Sequence, residues 1–86
     1  MPTISMFYGI IIRMFINGEH NPPHFHASYQ GNNATFFLDG TLKEGSMPTK
    51  QSKLIAAWAE IHQAELLANW ELAICEQPLY KIEPLR

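Results

Sequence analysis

The sequence predicts an α+β fold in which a small antiparallel meander of three or four strands precedes a helical segment. The first half of the chain carries short β-branched and aromatic runs that are separated by glycine-containing turns. The second half, from Pro48 to about Glu76, is rich in Ala, Leu, Glu, Lys and Gln at helical spacing. Because the 86 residues contain no repeat and no linker, we expect one domain, residues 1–86.

Each predicted strand is bounded by residues that favour turns. Residues 8–16, YGIIIRMFI, predict the first strand, and Asn17-Gly18 is a strong hairpin signal. Phe25–Tyr29 predicts the second strand, and Pro22-Pro23 should precede it because proline donates no backbone hydrogen bond. The remaining predicted elements are a turn at 30–33, a strand at Ala34–Leu38, a turn at Asp39-Gly40 and a short strand at Thr41–Glu44.

The helical segment predicts one long or kinked helix, or two helices broken near His62. Pro48 suits the first turn of a helix, and Pro78 cannot continue it. The tail after Pro78 is expected to be extended and to dock as a strand or an arm. The apolar stripe expected to pack against the sheet consists of Leu54, Trp58, Ile61, Leu66 and Ala73.

Charge and composition limit the classes of function. The net charge of −2 and the scattered Lys and Arg residues argue against broad DNA or other non-specific nucleic-acid binding, although a local phosphate site stays open. No apolar run approaches the roughly 20 residues that a membrane helix needs, and we expect no membrane contact. Cys75 is the single cysteine, and the N-terminal apolar stretch lacks the basic region of a signal peptide. These features predict a cytoplasmic protein.

Three of the four histidines lie in the segment HNPPHFHA, residues 20–27. Because side chains alternate along a strand, His24 and His26 should share the face opposite Phe25, about 7 Å apart. His20 could fold back beside them across the two prolines. We therefore predict a phosphate or other anion site formed by His20, His24 and His26 with support from Arg13.

Two alternatives to an anion site remain open for this cluster. His20, His24 and His26 could ligate a divalent metal such as zinc, although structural zinc needs four ligands and catalytic zinc three. No other cofactor is expected. The histidines could also be solvated, or bonded to neighbouring carbonyls. Raising the pH through about 6.5 should weaken anion binding and strengthen metal binding.

Three polar residues of the helical segment, His62, Glu65 and Asn69, fall within its apolar stripe on a helical wheel. Buried polar groups need hydrogen-bond partners. Either the helix breaks after His62 and its register shifts, or these three side chains line a site near the strand histidines.

Four segments that span nearly the whole chain carry a family resemblance: MPTISMFYGIIIRMF, HNPPHFHASYQGNNATFFLDG, AAWAEIHQAELLANWELA and IEPL. Together they resemble the bacterial family named domain of unknown function 4160. The resemblance implies a small partner encoded in a two-gene operon of toxin–antitoxin type. Met6 departs from the family pattern, which leads us to expect a basic residue at that position.

Two classes of function follow. In the first, the protein is a toxin-like enzyme acting on RNA or a nucleotide, in which His24 and His26 transfer protons, His20 or His62 supports them, and Arg13 steadies the phosphate. In the second, it is a non-enzymatic binding module, the antitoxin or adaptor half. In either class we expect a homodimer or a small cognate protein from the same operon as partner. The surface expected to mediate this contact includes Phe15, Phe37, Trp70 and Leu79.

Overall fold

The computed structural model describes residues 2–15 and 22–86. Within these ranges a five-stranded antiparallel sheet, with its strands in chain order, is followed by two helices. The predicted α+β class is confirmed, with five strands rather than three or four. The elements are β1 (Thr3–Phe7), β2 (Ile10–Arg13), β3 (His24–Tyr29), β4 (Asn32–Phe37), β5 (Leu42–Gly45), α1 (Thr49–Ile61) and α2 (Gln63–Ile74).

The additional strand is β1, which precedes the segment predicted as the first strand, residues 8–16, and a tight turn at the start of that segment joins β1 to β2. Tyr8 and Gly9 have φ values of 50° and 79°, the conformation that a two-residue type I′ hairpin requires. The chain therefore reverses, and Phe7 pairs with Ile10. The strand predicted at residues 8–16 begins at Ile10 in the structure. The turn and the strand before it were not predicted, because a tyrosine rarely adopts a positive φ and gives no turn signal. The predicted Asn17-Gly18 hairpin lies outside the described residues.

A second tight turn joins β3 to β4. Gln30 and Gly31 have φ values of 43° and 84°, and Tyr29 pairs with Asn32 directly across the turn. The Asn32 side-chain amide donates to the Tyr29 carbonyl at 3.2 Å. The turn is thus two residues long, and β4 begins earlier than the sequence predicts.

The core lies between one face of the sheet and the helices. The Trp58 indole is fully buried at its centre, with ring-centroid distances of 5.3 Å to Phe7 and 5.7 Å to Phe25. The buried stripe of α1 consists of Gln51, Ile55, Trp58 and Ala59. Ile61 was wrongly assigned to the core: it is 66% exposed, because it lies to the side of this stripe.

The helical segment breaks at His62, as one of the sequence alternatives proposed. His62 has φ −110° and ψ 25°, outside the helical region, between the last residue of α1 and the first of α2. The break lets α2 bury its own stripe, which comprises Leu66, Asn69, Trp70 and Ala73. Trp70 is only 3% exposed, so it belongs to the core rather than to the expected partner-binding surface.

The C-terminal tail, residues 77–86, docks as an extended arm against the edge strand β1. The Ile82 backbone N–H donates to the Ile4 carbonyl at 2.7 Å, and the Ile82 side chain is buried. The Trp58 indole N–H donates to the Glu83 carbonyl at 2.8 Å. In the described part of the chain, no helix is long and apolar enough to cross a membrane.

Candidate phosphate site on the open face of the sheet

Strand pairing aligns four polar residues across the sheet face that the helices leave uncovered. Arg13 of β2 pairs with His26 of β3, His26 with Thr35 of β4, and Thr35 with Glu44 of β5. Paired residues of antiparallel strands project from the same face, so these side chains form one row. We call Arg13, His26, Thr35 and Glu44 the polar row. It runs from a guanidinium at one end to a carboxylate at the other.

The polar row lies in a shallow concavity of about 260 Å³. This volume is close to the lower end of the range for small-molecule sites, about 300–1,000 Å³. The surface is mixed, because polar side chains alternate with apolar ones around the concavity. The other described residues that line it are Ile11, Phe15, Ala27, Ser28, Asn33, Ala34 and Gly45.

Arg13 supplies a positive charge that the described residues do not neutralise. In residues 2–15 and 22–86, no carboxylate forms an ion pair with its guanidinium. The side chain is partly buried at the rim of the concavity. A guanidinium presents several N–H donors in a fixed planar arrangement that matches two phosphate oxygens. Arg13 is therefore the strongest candidate for an anion contact.

The structure brings His24 and His26 together but in different environments. Their ring centroids are 5.3 Å apart at an angle of 72°. His26 is partly exposed, lines the concavity and meets the Phe15 ring edge-on at 4.5 Å. His24 is only 6% exposed, and its ring centroid lies 5.2 Å from that of Trp70.

The buried position of His24 favours a supporting role. Its Nδ1–H donates to the Pro22 carbonyl at 2.9 Å, and its ring packs against Trp70 of α2. His26 is thus the imidazole that a ligand in the concavity can reach. His20, the third member predicted from sequence, lies outside the described residues.

The metal alternative depends on the same three histidines. Across the described ranges, no group of three His, Cys, Asp or Glu side chains lies close enough together to hold a metal ion. His24 and His26 alone are one ligand short of the three protein ligands of a catalytic zinc site. A zinc site would therefore need His20.

Of the three polar residues on the helix stripe, Asn69 contacts the tail rather than the strand histidines. Its side chain is 2% exposed, and both its amide nitrogen and its amide oxygen form hydrogen bonds with the Tyr80 backbone. His62 lies at the helix break, where its Nδ1–H donates to Glu65 Oε1 at 2.6 Å. None of these three side chains lines the concavity.

Comparison with known proteins gives one match. A family model described as Domain of unknown function (DUF4160) matches residues 9–71, well over half of the chain. The chain belongs to this family. A search of curated proteins and a search of solved structures each return no match. The DUF4160 description states no activity, so the function must be argued from the site.

The DUF4160 match covers all four residues of the polar row. Two of them, Thr35 and Glu44, were not predicted as site residues from the sequence. Alternation within β4, NNATFF, is a signal that could have found Thr35, because it places Thr35 and Asn33 on one face. No comparable sequence pattern indicated that Glu44 belongs to the polar row. Its alignment with Thr35 depends on an irregularity in the β4–β5 pairing between Thr35 and Phe36.

Met6, where the DUF4160 resemblance leads us to expect a basic residue, is 61% exposed and pairs with Ile11. It does not line the concavity. Among the described residues, Arg13 is the one Lys or Arg side chain that lines the concavity.

Proposed function

We propose that the protein binds a phosphate-bearing ligand, RNA or a nucleotide, on the open face of its sheet, as one component of a bacterial toxin–antitoxin-type module. The main support for this binding site is that Arg13 forms no ion pair with a described residue and lines one concavity together with His26, which a ligand can reach. The role in such a module is what the family resemblance implies.

The chemistry of the polar row supports phosphate as the ligand. Arg13 would donate two hydrogen bonds to phosphate oxygens, and a protonated His26 would donate a third. The hydroxyls of Ser28 and Thr35 and the amide of Asn33 offer neutral partners for a ribose. A site with a single arginine suits one or two phosphates, in agreement with the negative net charge of the chain.

The geometry supports binding more strongly than RNA cleavage. Cleavage by two histidines needs both imidazoles in reach of the scissile phosphate, one as base and one as acid. His26 faces the concavity, whereas His24 packs against Trp70. His26 is therefore the residue that would move a proton in an enzymatic version of this function.

The test is titration with inorganic phosphate and with a short single-stranded RNA at pH 5.5 and 7.5. Arg13→Gln should weaken binding about tenfold or more, since hydrogen bonds to charged groups contribute about 1.5–3 kcal/mol. His26→Gln should also weaken binding, because it removes the imidazole that lies beside Arg13 in the concavity.

The matched control is Lys50→Gln, which removes an exposed positive charge from α1, away from the concavity. Equal binding by wild type and both site variants would contradict the phosphate site. A zinc titration forms a separate arm: tighter zinc binding at pH 7.5 that His26→Gln removes would support the metal alternative. Substitution of His24 is a poor test because the side chain is buried.

The role in a module has its own test. Induced expression should stop bacterial growth, or should relieve arrest caused by the product of the neighbouring gene. Exposed large apolar side chains support a protein partner, whether a second copy or a cognate protein. They include Met6, Tyr8, Leu42, Ile61, Leu67, Ile74 and Tyr80. A monomer by light scattering that does not co-purify with the neighbouring product would contradict the proposed partnership.

A further inference from the structure

We infer that Glu44 contacts the base of the bound ligand and selects guanine. This inference rests on the proposed phosphate site and adds the identity of the base. It starts from a feature that phosphate binding leaves unexplained, namely a carboxylate that lines the same concavity as Arg13.

The opposite charges stand at opposite ends of the polar row. Arg13 and Glu44 are separated by three strand intervals, which places their backbones about 14 Å apart at roughly 4.8 Å per interval. Both side chains line the same concavity. A free phosphate would occupy only the Arg13 end, since a carboxylate repels it. A ligand that fills the row needs an anion at one end and N–H donors at the other, and a nucleotide has both.

Glu44 is accessible to such a ligand. Its side chain is 72% exposed, and its only ion-pair partner among the described residues is Lys43, at 3.7 Å. An exposed pair of this kind contributes little energy, so the carboxylate can exchange it for a ligand contact. Glu44 therefore offers two acceptor oxygens at the edge of the concavity.

The donor pattern of guanine distinguishes it from the other bases. A carboxylate accepts hydrogen bonds and donates none. Guanine presents two adjacent donors, N1–H and the N2 amino group, on its Watson–Crick edge, and these match the two carboxylate oxygens. Adenine and cytosine each pair one amino donor with an adjacent ring acceptor, and the single donor of uracil lies between two carbonyls. Unstacked bases are commonly recognised through this edge.

Gly45 helps to hold Glu44 in register with the row. A Cβ at position 45 would meet the Asn33 carbonyl oxygen and the Ala34 Cα, and the backbone there has a φ of +91°. Glycine at this position lets β5 approach β4 closely. The approach aligns Glu44 with Thr35 and brings its side chain to the concavity.

The experiment compares GMP, AMP, CMP, UMP and inorganic phosphate as ligands of the wild-type protein and of Glu44→Gln. The wild type should bind GMP about tenfold more tightly than the other three nucleotides, the selectivity expected of one bidentate base contact. Glu44→Gln should lose this preference and keep its affinity for inorganic phosphate. Glu60→Gln, which removes an exposed carboxylate from α1, is the matched control and should retain the preference for GMP.

Single-stranded RNA distinguishes a polynucleotide from a free nucleotide as the source of the base. If the site accepts a guanine within a chain, UUGUU should bind more tightly than UUAUU. If it accepts only free nucleotides, the two RNAs should bind equally and GMP alone should bind more tightly than the other nucleotides.

The outcomes separate this inference from the proposed function. Equal binding of all four nucleotides, unchanged in Glu44→Gln, would overturn guanine selection and leave the phosphate site intact. Absence of binding by every nucleotide and by phosphate would overturn both.

Discussion

Asn69 and Tyr80 exchange two hydrogen bonds that fasten the C-terminal tail to α2. The Asn69 Nδ2 donates to the Tyr80 carbonyl at 2.8 Å, and the Tyr80 N–H donates to Asn69 Oδ1 at 3.0 Å. The side-chain amide thus pairs with the tail as a neighbouring strand would. Asn69 can therefore be buried on the stripe of α2, because the backbone at Tyr80, 11 residues further along the chain, satisfies its hydrogen bonds.

Asn69→Ala should lower the free energy of unfolding by about 2–3 kcal/mol, because two buried hydrogen bonds are lost. Urea denaturation measures this change, and hydrogen exchange at the Ile82 amide should accelerate as the tail loosens. Gln63→Ala, on the exposed start of α2, is the control and should stay within about 0.5 kcal/mol of wild type. A loss no larger than that of the control would show that the pair does not hold the tail.

Trp58→Ala should destabilise the fold by about 3–5 kcal/mol, since it empties the centre of the core and removes the indole bond to Glu83. Ile61→Ala on the same helix should have little effect, because Ile61 is exposed. Thermal and denaturant unfolding of the two variants provide the comparison. Similar losses for both would contradict the orientation of α1 described above.

Gly45→Ala should destabilise the β4–β5 pair more than Gly31→Ala destabilises the β3–β4 turn. Both positions have positive φ, so each alanine incurs about 1–2 kcal/mol of backbone strain. Only at Gly45 would the added Cβ also meet neighbouring backbone, which overpacks the site by a further 1–3 kcal/mol or so. The difference between the two unfolding free energies is the measurement, and equal values would argue against close contact at Gly45.

The pKa of Glu83 should rise towards its ordinary value in Arg86→Gln. In the wild type, a 2.7 Å hydrogen bond from Arg86 and the charge of its guanidinium lower this pKa, with a smaller contribution from the charge of His62. A lowered folded-state pKa stabilises the fold above the unfolded-state pKa, and this contribution is lost as the pH falls through the folded value. NMR titration of the Glu83 carboxyl in both proteins tests the shift. Lys81→Gln, which removes a nearby exposed charge, is the control. An unchanged pKa in Arg86→Gln would assign the shift to another group.

The sequence by itself determined the fold class, the place of the helices and the extended tail. These depend on local preferences: alternating and β-branched runs in the first half, Pro48 before α1, and Pro78 after α2. The sequence also identified Arg13 and His26 as site candidates, and their residue types predicted phosphate chemistry. Strand alternation was enough to place His24 and His26 close together.

Only the tertiary structure decided which residues share a site and which are buried. The polar row exists because strand pairing brings Thr35 and Glu44 into line with His26, and pairing register depends on contacts between distant segments. The burial of His24 depends in the same way on Trp70 of α2, which lies on the far side of the helix break. Local sequence preferences do not encode such long-range contacts. The residue types alone therefore predicted phosphate chemistry, whereas tertiary packing determined which of these side chains a ligand can reach.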